Sequence, residues 1–172
     1  PEAGSDPKPA VFRSTNAGAT WKNVTSGVLL SEQYLYPYAV AVDPADAQRA
    51  YVASNRGVFR TANMGATWAK QASPGWIGAY TLAVDKSAPN TIYGGYYGSL
   101  YKSTDGAATW TYLANGLNGS ANRVLARGPT VHFASSAGVF KSVNGGTKFS
   151  AGHKGMLAAD IKSFIRVGAG SG

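Results

Sequence analysis

Carboxylates are the side chains of this sequence that could perform acid–base chemistry, and the chain contains eight of them. Hydrolysis of a glycosidic bond requires two carboxyl groups that face each other across the bond, one of them protonated. Five of the eight lie in the polar start of the chain or in recurring turns: Glu2, Asp6, Asp43, Asp85 and Asp105. Of the other three, Glu32 and Asp160 fall in connections between repeated segments. The sequence favours a chain without catalytic residues and leaves this pair as the alternative.

Metal, thiol and nucleotide chemistry find no support in the sequence. The chain has no cysteine, which excludes disulfides, thiol catalysis and cysteine-bound metals. Its two histidines are His132, in a predicted strand, and His153, in a predicted loop, whereas a metal site needs three or four converging ligands. Glycine-rich phosphate loops and the motifs of serine hydrolases and zinc proteases do not occur. We therefore predict no metal and no cofactor.

The net charge of +8 suggests an anionic partner, but the positions of the basic residues argue against a binding patch. Four of them follow an aromatic residue at one position of a repeat: Arg13, Arg60, Lys102 and Lys141. A charge that recurs in register is typical of the solvated side of a strand, so these residues are predicted to be exposed. Nucleic acid is not expected as a partner. No stretch approaches the ~18 consecutive apolar residues of a transmembrane helix.

A short segment recurs four times along the chain and ends in an aromatic residue. The copies are STNAGATW (14–21), TANMGATW (61–68), STDGAATW (103–110) and SVNGGTKF (142–149). Their last residues lie 47, 42 and 39 residues apart, and an aromatic residue in the preceding strand repeats with the same spacing. Periods of about 40–50 residues built from short strands are typical of β-propellers with four strands in each blade.

One repeat illustrates how the strands are arranged. Four short segments rich in β-forming residues are separated by Gly, Pro or Asx turns: 79–85, 91–95, 99–103 and 108–113. The repeats before and after it contain the same four segments. Two further strands precede these repeats, at 11–15 and 19–24, and a further first strand is predicted at 161–167.

The sequence predicts an all-β fold, a β-propeller of four-stranded antiparallel blades with three full blades and partial blades at both ends. This domain spans residues 11–167, between an extended lead-in at 1–10 and a flexible tail at 168–172. The fifteen predicted strands are one short of four blades, and propellers close on themselves to protect their edges. The chain is part of a larger propeller, part of a ring that a second chain completes, or a four-bladed ring. The sequence favours the first two and predicts self-association.

The recurring segment has the composition of a turn between two antiparallel strands. Its third residue carries a short side-chain oxygen that can accept hydrogen bonds from the turn backbone: Asn16, Asn63, Asp105 and Asn144. Two residues later, glycine supplies conformational freedom in three copies: Gly18, Gly65 and Gly146. The third copy has Ala107 there, so that turn is predicted to differ locally. The closing aromatic is predicted to pack between adjacent blades and to bury ~150–250 Å²: Trp21, Trp68, Trp110 and Phe149. All of these residues, Asp105 included, are predicted to be structural.

The pattern S-x-[DN]-x-G-x-T-W after an aromatic–basic strand resembles the Asp-box, also called the bacterial neuraminidase repeat. The segments AVDPADAQRAYVAS and AVDKSAPNTIYGG resemble the first half of the same blades, and the likeness covers about residues 11–167. The chain is similar to propellers of the xyloglucanase, sortilin and photosystem II assembly factor type. The resemblance implies the fold but no single activity, because this turn occurs in sialidases, glucanases, receptors and assembly factors. The arginine cluster, tyrosine and glutamate of the sialidases cannot be mapped onto this sequence.

One end of the predicted propeller is rich in tyrosine, with cationic residues among the rings. The connections between blades and those between the second and third strands share this end, opposite the repeated turns. Exposed rings beside cationic donors suit stacking on a sugar or contact with an anionic peptide. The candidate ligand-binding residues are Tyr34, Arg56, Trp76, Tyr96, Tyr97, Arg123, His153 and Lys154. Burial is predicted for Tyr36 and Tyr38 in preference to Trp76, because the two tyrosines lead into a strand in alternating register.

The sequence favours a non-catalytic binding or scaffold module, extracytoplasmic or secreted, that recognises a protein partner or a glycan through this end. The alternative is a fragment of a glycoside hydrolase, similar to a xyloglucanase or a sialidase, with catalytic carboxylates partly on missing blades. A second copy or a neighbouring chain is expected to complete the ring.

Overall fold

Short strands separated by tight turns build most of the protein. The computed structural model describes residues 10–31, 34–72, 78–114, 117–152 and 162. Within these residues there are fourteen strands and one short helix, α1 (Val28–Ser31), which the sequence did not predict. Every strand pair in this part of the chain is antiparallel.

The strands form one hairpin and three four-stranded sheets, in chain order. The first hairpin consists of β1 (Phe12–Arg13) and β2 (Lys22–Asn23). Sheet 1 consists of β3 (Pro37–Val42), β4 (Ala50–Ser54), β5 (Gly57–Thr61) and β6 (Ala69–Lys70). Sheet 2 consists of β7 (Thr81–Val84), β8 (Ile92–Tyr96), β9 (Ser99–Ser103) and β10 (Thr111–Ala114). Sheet 3 consists of β11 (Ala121–Arg127), β12 (Thr130–Ser135), β13 (Gly138–Ser142) and β14 (Ser150–Ala151).

This arrangement confirms the predicted fold class, because three complete blades follow the outer two strands of a fourth and consecutive strands are neighbours in every sheet. The last strand of sheet 2 begins at Thr111, after Trp110, whereas the sequence pattern placed the tryptophan inside it. The strand predicted at 161–167, the tail and nearly all of the lead-in lie outside the described residues.

The core lies between successive sheets, so that the middle strands are buried on both faces. Phe59 of sheet 1 packs against the first hairpin. Tyr51 packs with Ile92 between sheets 1 and 2, and Tyr93 packs with Phe133 between sheets 2 and 3. All five side chains are at most 1% exposed. Burial of one such side chain contributes about 1.5–3 kcal/mol, so each sheet depends on its neighbours for stability.

The four repeated turns have one backbone conformation, with positive φ at two successive residues. Three of them end in glycine at the second position, where φ is 88° for Gly18, 84° for Gly65 and 90° for Gly146. Ala107 holds this position in the third turn with a φ of 74°, and Gly106 before it has 73°. The predicted local difference is therefore wrong. The turn keeps its shape because side-chain hydrogen bonds hold the backbone, and alanine accepts the strained φ.

These hydrogen bonds are the same in each turn. The carboxylate or amide oxygen of the third residue accepts a hydrogen bond from the backbone N–H four residues later, at 2.9–3.0 Å. The hydroxyl that opens the turn accepts one from the residue with the second positive φ, as Ser103 does from Ala107 at 2.9 Å. Asp105 also accepts from the hydroxyl of Thr109 at 2.5 Å. In each copy these side chains hold the backbone of the turn.

Asp105 makes this turn sensitive to acid. Hydrogen bonds lower the pKa of its carboxyl group to about 2, first from the hydroxyl of Thr109, then from the backbone N–H of Thr109 and the hydroxyl of Ser103. The unfolded carboxyl has a pKa of about 3.9, so this contribution to stability is complete above that pH and is lost as the pH falls toward 2. We expect Asp105→Asn, the residue type of the other three turns, to fold normally at pH 7 and to lose less stability between pH 4 and pH 2. Thermal unfolding at a series of pH values measures this difference; identical slopes for both proteins would contradict it.

The aromatic residue that closes each turn packs on the hairpin of the preceding sheet. Trp68 is 8% exposed, and its indole N–H donates a hydrogen bond to the backbone oxygen of Val24 at 2.8 Å. Trp110 is 9% exposed and packs with residues of sheet 1, and Phe149 is partly buried against sheet 2. Trp21 is 64% exposed. The prediction that it packs between blades is wrong for the described part of the chain, where no sheet precedes the first hairpin.

The recurring basic residue of the third strand points toward the turn of the next sheet. Arg13 donates a hydrogen bond from Nη1 to the backbone oxygen of Met64 at 2.6 Å. Arg60 occupies the same position in sheet 1, beside Gly106 of the next turn, where an added Cβ would lie 3.5 Å from its Nη1. Both arginines are half-buried. The prediction that they lie on a solvated face is therefore wrong, because a sheet that follows covers them.

Lysine takes the same position in the last two sheets. Lys102 is half-buried, and its Nζ lies 5.6 Å from the ring centroid of Tyr93. A Cβ on Gly145, in the turn of sheet 3, would lie 3.4 Å from the same Nζ. Lys141 is exposed as predicted, and within the described residues no fourth sheet follows it. Exposure of these four basic residues thus depends on whether another sheet follows.

Two carboxylates that the sequence assigned to turns are buried there. Asp43 is 2% exposed and accepts a hydrogen bond from the backbone N–H of Ala45 at 2.8 Å, while its other oxygen lies 2.7 Å from Nε of Arg49. Asp85 is also 2% exposed and accepts from the backbone N–H of Gly128 at 2.9 Å. Both side chains hold backbone in place, which confirms the structural role predicted for them.

Candidate ligand-binding surface

Tyrosines from two kinds of connection meet at one end of the sheets. Because neighbouring strands are antiparallel, the connections between sheets and those between second and third strands lie at the same end, opposite the repeated turns. Tyr34 precedes β3, Tyr38 lies at the start of β3, and Tyr80 directly precedes β7. Tyr96 ends β8, and Tyr97 follows it in the turn to β9. We call these five residues, together with Tyr36, the tyrosine surface.

Four of these rings form one contiguous group, the tyrosine cluster of Tyr38, Tyr80, Tyr96 and Tyr97. Tyr80 lies at its centre, with its ring centroid 5.1 Å from that of Tyr38, 5.1 Å from that of Tyr96 and 5.3 Å from that of Tyr97. The rings of Tyr96 and Tyr97 are 4.6 Å apart and meet edge to face at 76°. Such pairs contribute about 0.5–1.5 kcal/mol each beyond the area they bury, so the rings hold one another in place.

The tyrosine surface is open to solvent. Tyr34 is 66% exposed, Tyr36 and Tyr97 are 54% exposed, and Tyr38 is 46% exposed. Tyr36 and Tyr38 thus lie at the surface, whereas Trp76, with which the sequence compared them, lies outside the described residues. Alternate residues of β3, beginning with Tyr38, point to a face that the first hairpin leaves uncovered, so the alternation was recognised but its buried side was misjudged.

Two of the exposed tyrosines have a backbone conformation that non-glycine residues rarely adopt. The φ angle is 56° at Tyr34 and 47° at Tyr97. Asn55 fixes the first of them: its side-chain N–H donates to the carbonyl of Tyr34 at 2.8 Å, and its side-chain oxygen accepts from the N–H of Tyr36 at 2.7 Å. Strained, well-held residues of this kind concentrate at binding sites. Sequence reasoning did not single out Asn55, although an asparagine in a tight turn is a signal for such a role.

Two hydroxyls of the tyrosine cluster, those of Tyr80 and Tyr96, have a raised pKa. A hydrogen bond to the hydroxyl of Tyr97 raises the pKa of Tyr80 to about 12, with a further contribution from burial. Burial also raises the pKa of Tyr96, and the neighbouring Tyr97 adds to this effect. An acid–base catalyst needs a pKa near the working pH. Tyr80 and Tyr96 therefore suit stacking and hydrogen bonding rather than proton transfer.

The structure places the other candidate residues as follows. Arg56 lies in the turn between β4 and β5 and is half-buried, and Arg123 lies near the start of β11 and is exposed, so both are at the end that carries the tyrosine surface. Five further candidates lie outside the described residues: Glu32, Trp76, His153, Lys154 and Asp160.

Tyr38 and Tyr80 were not among the candidate ligand-binding residues, yet they connect the others. Each lies five residues before a buried aspartate, Asp43 or Asp85, so they occupy one position of successive repeats. An aromatic residue that recurs at the start of a first strand is the signal that could have identified them.

The described ranges were compared with the requirements of a metal site and of a membrane-spanning helix. No group of three or more His, Asp and Glu side chains there could hold a metal ion. Nor does this part of the chain contain a helix of the length and apolar character that a membrane crossing needs.

The fold of this chain is similar to the folds of several proteins of known structure. No protein-family model and no curated protein matches the chain. Among solved structures, a GH74 enzyme from Niastella koreensis aligns with a TM-score of 0.67 and 23% identity over 84% of this chain and 26% of that protein. YCF48 from Cyanidioschyzon merolae aligns with a TM-score of 0.58 and 20% identity over 68% of this chain and 37% of that protein. YCF48 bound to D1 peptide gives a TM-score of 0.58 and 16% identity over 68% and 40%.

The chain thus spans from about a quarter to two fifths of the length of these proteins. Identities below 25% establish the fold alone, because one fold supports many functions. Together with the sheet order, these likenesses show that the described chain folds as consecutive blades of a β-propeller.

Proposed function

We propose that this chain is a non-catalytic binding or scaffold module, extracytoplasmic, which recognises a protein partner or a glycan through the tyrosine surface. The observation that carries the proposal is the tyrosine cluster, in which four rings contact one another while Tyr97 and Tyr38 stay about half exposed. Exposed aromatic groups of this size are enriched where proteins bind partners.

Two further observations support this proposal. The tyrosines combine apolar ring faces with hydroxyl groups, and both sugar rings and peptide side chains bind to such surfaces. YCF48 has the same fold over 68% of this chain and has been solved with a bound peptide.

We also assign the four repeated turns to the Asp-box type, on the strength of their shared hydrogen bonds and the pattern S-x-[DN]-x-G-x-T-W.

Binding experiments on matched tyrosine variants test the proposed role. A glycan array and a peptide array identify a ligand, and titration calorimetry then compares the wild-type chain with Tyr97→Ala and Tyr112→Ala. Tyr112 is 45% exposed on β10, the last strand of sheet 2, where it pairs with Tyr101 at 5.3 Å. We expect Tyr97→Ala to weaken binding by about ten-fold or more and Tyr112→Ala to leave it unchanged. Empty arrays, or equal losses in the two variants, would refute the role of this surface.

A fragment of a glycoside hydrolase is the second candidate, and the fold likeness to a GH74 enzyme over 84% of this chain favours it. The carboxylates in question are Glu32 and Asp160. The release of reducing ends from xyloglucan measures this activity. Loss of that activity in Glu32→Gln and Asp160→Asn would support the enzyme reading, whereas an inactive wild-type chain would reject it for this part of the protein.

A further inference from the structure

The contact between successive sheets has two complementary sides. On one side, the basic residue of a third strand reaches the next turn, as Arg13 does at the carbonyl of Met64, 2.6 Å away. On the other side, that turn packs back on the hairpin, as Trp68 does through its hydrogen bond to Val24 at 2.8 Å. The turn backbone lies directly over the same hairpin, since a Cβ on Gly65 would be 2.9 Å from Cβ of Val24. Each sheet thus contacts the sheet before it through its repeated turn, and the sheet after it through its hairpin of third and fourth strands.

The two sides are exposed separately at the two ends of the described chain. At the N-terminal end, Trp21 is 64% exposed, and a Cβ on Gly18 would meet only the ring of Trp21, at 3.8 Å. At the other end, Lys141 and Gly152 are exposed. They hold the positions of the basic residue and of the valine with which the first hairpin contacts sheet 1. Within the described residues, the turn at 14–21 therefore has no hairpin to pack on, and the hairpin of β13 and β14 has no turn packed on it.

We propose that these two ends bind each other between copies of this chain, head to tail. The turn at 14–21 of one copy packs on β13 and β14 of the next copy. Trp21 takes the position there that Trp68 takes on the first hairpin, and Lys141 donates a hydrogen bond to the backbone carbonyl of Ala17. The two surfaces fit because a closing aromatic residue already packs on the preceding sheet or hairpin at three junctions within the chain, through Trp68, Trp110 and Phe149.

A second exposed strip lies at the N-terminal end. Val40 and Val42 of β3 are 55% and 56% exposed. Leu82 and Val124, which correspond to Val40 in the next two sheets, are 7% and 1% exposed because a complete sheet precedes each of them. The strip thus lacks the inner strands of a preceding blade.

Two copies joined in this way fit the size of a propeller. The described residues of two copies supply six complete sheets and two hairpins, within the range of about 4–8 blades that propellers adopt. Contacts between different surfaces either close into a ring or continue as a fibre, and a propeller, whose blades surround one axis, favours the ring. The charge of +8 on each copy opposes the contact at low salt, and salt screens it. The expected species is a closed dimer that is more stable at moderate than at low ionic strength.

Sedimentation of the 172-residue chain over a wide concentration range tests the contact. We expect the wild-type chain to convert from monomer to dimer as its concentration rises. Trp21→Ala should need a concentration at least about ten-fold higher for the same conversion. Tyr112→Ala is the matched control, since Tyr112 is 45% exposed on β10 of sheet 2, which lies at neither end of the described chain, and it should dimerise like the wild type. A monomer at every concentration, or equal effects of both variants, would overturn the proposal. A monomer would point instead to further blades of a longer protein as the natural partner.

Cross-linking tests the orientation of the two copies, because the chain has no cysteine of its own. Ala17→Cys and Lys141→Cys are mixed and treated with a short bis-maleimide. We expect a product that contains one copy of each variant, and little product from either variant alone. The double variant Arg13→Cys with Met64→Cys should cross-link within one chain and shows that the reagent spans this contact. Products from Ala17→Cys alone, or no mixed product while that control reacts, would contradict the head-to-tail arrangement.

Discussion

Replacing Trp68 by alanine is expected to lower the free energy of unfolding by about 3–5 kcal/mol, the range for a buried tryptophan. Trp68 is 8% exposed between sheet 1 and the first hairpin, and its indole N–H bonds to the carbonyl of Val24. The substitution leaves a cavity between the two and removes the donor for that carbonyl. Urea unfolding followed by circular dichroism measures the change.

Trp21→Ala is the matched control for this prediction. Trp21 ends the same repeated turn, but its 64% exposure leaves little packing to lose. In dilute solution we expect a change within about 0.5 kcal/mol, as for most surface substitutions. Similar losses in Trp21→Ala and Trp68→Ala would show that the tryptophans act within their own turns, and that the contact between sheets has no special weight.

The second large effect is expected for Gly65→Ala, at about 2–4 kcal/mol. Part of this arises because φ is 84° at this residue, a left-handed conformation that costs a side chain about 1–2 kcal/mol. The remainder arises because the new Cβ would lie 2.9 Å from Cβ of Val24, a branched atom that cannot move away without shifting the first hairpin. Thermal or urea unfolding of the purified variant gives the value.

Two other turns separate these contributions. Gly18→Ala has a φ of 88° but open space, since its Cβ would meet only Trp21 at 3.8 Å, so we expect about 1 kcal/mol from the backbone alone. Ala107 is a natural example of the substitution, with a φ of 74° and its methyl group fully buried in the cluster that contains Trp110. If Gly18→Ala destabilised the chain as much as Gly65→Ala, the contact with Val24 would be irrelevant.

The number and order of the blades could be predicted because their signals are local. A side chain such as Asp105 makes its hydrogen bonds within five residues, so the turn is encoded where it occurs. Burial of the repeated side chains depends instead on the adjacent sheets. Trp21 and Trp68 end nearly identical segments, yet one is exposed and the other buried, because within the described residues only the second has a hairpin before it. The basic residues were misjudged for the same reason, since their contacts lie in the next repeat.

The candidate surface could be predicted in its location but only partly in its composition. Tyr96 and Tyr97 follow directly from the position of the connection between β8 and β9. The central role of Tyr80 depends on distances between side chains of sheets 1 and 2, and no local pattern contains these distances. The alternation around Tyr38 predicts two faces for β3 but not which of them another element covers. Asn55 acts across a gap of about twenty residues to hold Tyr34, a contact that only the folded chain reveals.

In the described chain, the turn of each complete sheet packs on the sheet or hairpin before it. This recurrence has a consequence for how such chains change length. Arg13 contacts a backbone carbonyl of the next turn, and Trp68 donates to a backbone carbonyl of the hairpin before it, so neither contact requires a particular side chain from its neighbour. An extra unit gained by duplication would create junctions of a kind that the chain already contains. Gain or loss of a whole unit therefore disturbs such an array less than a single misplaced methyl group within one of its turns.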